Sequence, residues 1–117
     1  MTSSSNAFLE YVLDRLAGFK GISSGRLFGG IGLSADGVQF AMIISGVLYF
    51  VVDDTTRPKY EAMGSGCFAY NTKTRRVDVR RYYEVPADVL EDDGQFTEWA
   101  KEAIANAKQT RKPERRT

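Results

Sequence analysis

The chain has 117 residues, 43% apolar and 26% charged, with a net charge of +1, the size and balance of one globular domain built around one two-layer core. It holds no histidine and a single cysteine, Cys67. This excludes Ser-His-Asp and Cys-His catalysis, histidine-ligated zinc, intrachain disulfides and CxxC redox chemistry. Met1 to Asn6 lacks the basic and apolar regions of a signal peptide, and no apolar run approaches the length that crosses a bilayer. The expectation is a cytoplasmic protein that needs no cofactor and no membrane.

In chain order, the first predicted element is a helix over about residues 6–17. Leu9, Val12, Leu13 and Leu16 recur at helical spacing, Ser4, Ser5 and Asn6 offer capping oxygens, and Gly18 is read as the left-handed stop. A glycine-rich stretch, Gly25 to Ser34, reads as one early strand. Val38 to Ile44 and Val47 to Val52 follow as alternating strands joined by tight turns at Asp36-Gly37 and Ser45-Gly46. In the first of these, Val38, Phe40, Met42 and Ile44 are predicted to share one face. A short helix with Pro58 in its first turn is predicted to end at Gly64, with Asp54, Thr55 or Thr56 as its cap. Two more strands follow, Cys67 to Tyr70 and Arg76 to Tyr83. Val77, Val79, Arg81 and Tyr83 are assigned to one face of the latter and Arg76, Asp78, Arg80 and Tyr82 to the other, which leaves this strand half exposed. After Pro86 and a possible helical turn, Phe96, Trp99, Ala100, Ala103, Ile104 and Ala107 mark a strong final helix.

The order predicts an α+β fold: an antiparallel sheet of five to six strands with the N- and C-terminal helices packed on one face. Residues 1–107 are read as one domain and 108–117 as a basic flexible tail without aliphatic or aromatic side chains.

Charge is unevenly spread. Residues 73–83 hold five bases and one acid, residues 84–98 six acids and no base, and residues 99–117 six bases and two acids. Arg75, Arg76, Arg80 and Arg81, interleaved with Tyr82 and Tyr83, suit phosphate and base stacking. With Lys108, Arg111 and Lys112 they form the candidate nucleic-acid surface. The acids that follow offer an internal or intersubunit counterpart. Gly30-Ile31-Gly32-Leu33-Ser34-Ala35 fits a dinucleotide fingerprint, yet a turn and a strand pattern follow it where that motif needs a helix N-terminus. Cys67 has no base to activate it and reads as a small buried hydrophobe. The acid pairs Asp53-Asp54 and Asp92-Asp93 stand where helices begin, so capping competes with acid–base or metal chemistry there.

Three stretches carry a family resemblance: Gly25-Arg26-Leu27-Phe28-Gly29-Gly30-Ile31-Gly32, Asp36 to Ile43, and Leu48 to Asp53. With Gly64, Phe68, Tyr70, Tyr83-x-Val85-Pro86 and Trp99-Ala100, they resemble the TfoX/Sxy N-terminal domain over about residues 6–107. Leu27 stands where that family usually has Met, and Val51 where it usually has Lys. An aromatic usual near Leu33 or Ser34 is missing, and the second, helical domain of two-domain members does not follow. The resemblance implies a secretion chaperone-like α+β domain, often dimeric, related to bacterial competence regulators that act with the catabolite-activator protein at promoters. It implies no catalytic residues, and it singles out Arg26, Phe28, Gly29 and Gly30 as a partner-binding surface. The functional expectation is a non-enzymatic regulatory or adaptor domain that binds protein, as a homodimer, in transcription or competence regulation. Direct nucleic-acid binding through Arg75–Arg81 and the tail is the alternative, and an enzyme using the four aspartates is a third reading.

Overall fold

The computed structural model describes residues 4–27 and 29–111. The first helix, α1 (Ser4–Arg15), turns Val12 and the following Leu16 fully inward, as the apolar stripe requires. It ends in tight turns, with the Leu16 and Ala17 amides donating to the Leu13 and Asp14 carbonyls. Gly18 is not the left-handed residue there. The positive φ of this connection is at Gly21 (+72°), directly before the first strand, where its carbonyl receives the Asp36 amide.

The predicted strand over 25–34 is two strands. β1 (Ile22–Leu27) and β2 (Gly30–Ala35) form a hairpin whose turn includes Gly29 at φ +68°. β3 (Val38–Ile44) and β4 (Val47–Val51) continue the meander. Asp36-Gly37 and Ser45-Gly46 all adopt positive φ, the geometry that two-residue hairpin turns need. After α2 (Arg57–Ala62), β5 (Cys67–Asn71) and β6 (Arg76–Glu84) complete one six-stranded antiparallel sheet in the order β1-β2-β3-β4-β6-β5. α3 (Ala87–Glu91) and α4 (Asp93–Arg111) close the chain. The fold is α+β, as the element order predicts. α4 carries the helix through residues 108–111, where the tail was expected to begin.

All the helices gather on one side of the sheet. Phe50 on β4 meets Phe96 on α4 with ring centroids 5.8 Å apart, and Tyr60 on α2 lies between Trp99 (4.5 Å) and Tyr83 on β6 (6.1 Å). Ala41 and Ile43 lie opposite Phe50 and Leu48, so they share this face, and all four are buried. Burying each large apolar side chain here contributes roughly 1.5–3 kcal/mol.

Two irregularities overturn predicted face assignments. The β2–β3 register shifts between Leu33 and Ser34, which leaves Phe40 as an extra residue. A bulge breaks strict alternation, so Phe40 joins Ala41 and Ile43 in the helix-side core, 6.2 Å from Phe50, while Met42 and Ile44 fall on the opposite face. In the last hairpin, Cys67 pairs with Tyr83 but Phe68 pairs with Val79. The inserted residues Arg80 to Tyr82 separate Val77 and Val79 from the face of Tyr83, to which they were assigned.

Candidate partner-binding site

The register shift in β6 shapes the open face of the sheet. Tyr82 to Glu84 pair with β4, and the Arg81 carbonyl accepts the Val52 amide. Residues 76–79 pair only with β5. Residues 68–79 therefore form a two-stranded arm that leaves the body of the sheet at the bulge. Between this arm and the turns at the end of the β1–β4 meander lies a groove of about 680 Å³ lined by Gly29, Ile44, Ser45, Val47, Tyr49, Phe68, Ala69 and Tyr70. Among the described residues, no helix residue lines it.

Its wall is aromatic. Phe68 meets Tyr49 edge-on at 5.3 Å and Tyr70 at 6.1 Å. Phe68 is buried, whereas Tyr70, which lines the groove with it, is 44% exposed. Burial, reinforced by the nearby Glu84 carboxylate, holds the Tyr49 phenol above its ordinary pKa, so it is a neutral hydrogen-bonding group at physiological pH. Gly29 leaves open space where a Cβ would stand.

Of the partner-binding residues expected from sequence, the three described ones lie between the end of β1 and the start of β2. Gly29 lines it directly. Arg26 is exposed at the end of β1. Gly30 has a packing role, because a Cβ there would run into the Ile43 carbonyl oxygen. Phe28 lies outside the described residues. Sequence reasoning missed the main lining, Ile44, Val47, Tyr49, Phe68 and Tyr70. The signal available was the aromatic at alternate positions of β5, Phe68 and Tyr70, in a strand too short to bury both.

The arginine cluster is divided by the bulge. Arg75 and Arg76 lie at the tip of the arm, where Arg76 pairs with Asp78 at 2.9 Å. Arg80 sits beside α2, 3.8 Å from Glu61, which also accepts the Tyr83 hydroxyl at 2.6 Å. Burial first, then that hydrogen bond, raises the Tyr83 pKa. Lys108 belongs to a different region, paired with Asp36 in the β2–β3 turn at 2.8 Å. Lys112 and the Arg111 side chain lie outside the described residues. Among the described residues, no ion pair joins the acids of 84–98 to Arg75, Arg76, Arg80 or Arg81.

The aspartates are engaged locally. Asp53 accepts the Thr55 and Thr56 amides ahead of α2, and Asp92 accepts the Gln95 amide at the start of α4. Asp54 pairs with Arg57 and Asp93 with Arg15. Among the described residues, no three metal-ligating side chains converge. The GxGxxA stretch is β2 itself, followed by a turn and β3, so no helix N-terminus faces it. Cys67 is half-buried on β5, partly packed against the core. No described helix is long and apolar enough to cross a membrane.

No curated protein matches the chain closely enough to count as a relative. The family profile described as the TfoX N-terminal domain matches residues 14–107. That span runs from the last two residues of α1 to the last buried alanine of α4 and takes in the whole sheet with its groove, so the chain belongs to the TfoX N-terminal domain family.

Proposed function

We propose that this domain is a non-enzymatic regulatory module of the cytoplasm, serving transcriptional or competence control, and that it acts by binding another protein through the groove on the open sheet face. The observation that carries this reading is the groove itself. It is an aromatic and aliphatic surface, Ile44, Val47, Tyr49, Phe68 and Tyr70, that no helix lines among the described residues. Apolar patches of this kind mark interaction sites in soluble proteins. The family supports a regulatory role, and the capping and ion-pair duties of all four paired aspartates support a role without catalysis.

The test uses the intact protein as bait in host lysate. Protein retained by the wild type is expected to be lost with Tyr70→Ser and with Val47→Asp, and kept with Lys20→Ala, far along the chain from the groove. Retention unchanged by both groove substitutions would refute the reading. Direct nucleic-acid binding has one observation in its favour: Lys73, Arg75 and Arg81 make no ion pair among the described residues. It predicts affinity for an oligonucleotide that falls steeply with salt.

A further inference from the structure

The two ends of the groove differ in charge. At the arm tip stand Lys73, Arg75 and Arg76, all exposed. Arg76 reaches only Asp78 on its own strand, and the other two reach no acid among the described residues. At the other end, Glu84 lies opposite Tyr49 in the β4–β6 ladder, exposed and in no ion pair among the described residues. The wall across from the arm, Gly29 and Ser45, is uncharged and small, so a partner backbone has room to approach.

We propose that the groove takes a segment of another protein that sets apolar side chains against Tyr49, Phe68 and Tyr70 and carries acidic side chains at the end that meets Lys73 and Arg75. This rests on the protein-binding reading above and specifies the chemistry of the partner. Two other occupants fit less well. A second copy would offer its own acidic segment, 84–98, but of the large apolar side chains there Val85, Val89 and Phe96 are already turned inward at 4%, 0% and 1% exposure, and Leu90 is packed against the same core. A single-stranded nucleic acid would have to lay phosphates past Glu84, opposite Tyr49, to stack on the rings.

The probes are two labelled peptides with the same central leucine and phenylalanine residues. One carries aspartate and glutamate at one end and the other carries lysine there. Fluorescence anisotropy with the full chain is expected to show the acidic peptide binding about tenfold more tightly at low salt. The preference should fade between about 50 and 500 mM, where screening reaches a few ångström. Lys73→Ala with Arg75→Ala should weaken the acidic peptide about three- to tenfold, as two exposed charge contacts would, and should not weaken the lysine peptide, whose like-charge repulsion it relieves. Both side chains are exposed and make no ion pair or hydrogen bond among the described residues, so the variant is expected to fold, which its amide NMR spectrum checks. Equal binding of the two peptides, or no effect of the double substitution, overturns the acidic specification while leaving the protein-binding reading intact. Binding of neither peptide, with lysate retention indifferent to Tyr70→Ser, overturns both. A dimer in sedimentation that Tyr70→Ser dissociates, or an oligo-dT that displaces the acidic peptide, assigns the groove to another occupant and likewise overturns the proposal.

Discussion

A methyl group added at Gly30 meets the backbone carbonyl of Ile43, which no side-chain rotation can relieve. At Gly25 it meets nothing within 4 Å. Gly30→Ala is therefore expected to lower stability by about 1–3 kcal/mol and Gly25→Ala by no more than about 0.5 kcal/mol, read from urea midpoints. The sequence shows that glycines cluster here. It does not show what each avoids, because the Ile43 carbonyl comes close only through the β2–β3 register. Asp53 is a second residue-scale case. Its carboxylate is held below its ordinary pKa first by the Thr55 hydroxyl, which desolvation opposes, and then by the Thr56 amide and hydroxyl and the Thr55 amide. A lowered pKa in the folded state means the contribution is complete above about pH 4 and is lost as pH falls through the folded value. Asp53→Ala should cost about 1 kcal/mol at neutral pH, and the gap to wild type should narrow in acid. A gap that widens below pH 4 would contradict this assignment.

At the scale of elements, α4 was the most legible part of the chain. Phe96, Trp99, Ala100, Ala103 and Ala107 are buried as their spacing dictates. The buried Asn106 was not legible, because its amide is placed by contacts far along the chain, to the Val51 carbonyl at 3.4 Å and the Thr56 hydroxyl at 3.3 Å. The strands were found, but two of their faces were not. Alternation identifies faces only while the register is unbroken, and nothing in Gln39-Phe40-Ala41 or Arg80-Arg81-Tyr82 announces a bulge. The second of these bulges creates the site. An arm paired only with itself has little to hold it, so its ladder amides from Ala69 to Val79 should exchange with deuterium far faster than those of β3, which has a strand on each side. Equal protection in both would mean that the arm is anchored by contacts not evident in the fold.

On the scale of the whole molecule, the sheet is used twice. One face, with Ala41, Ile43, Phe50 and Tyr83, carries the helices and the stability. The other ends in a groove that no helix lines among the described residues, bordered by cations that the acids of 84–98 do not reach. This separation makes Tyr70 and Val47 replaceable without unfolding the domain, and it ties recognition to a surface that the composition alone could not reveal. The most direct test is a two-dimensional amide NMR titration of the full chain with the acidic peptide. The account predicts shifts confined to Gly29, residues 44–49 and residues 68–76, saturating together. Shifts that instead centre on α4, on the outer edge of β1 or on Arg80 and Arg81, with the groove signals unmoved, would contradict it.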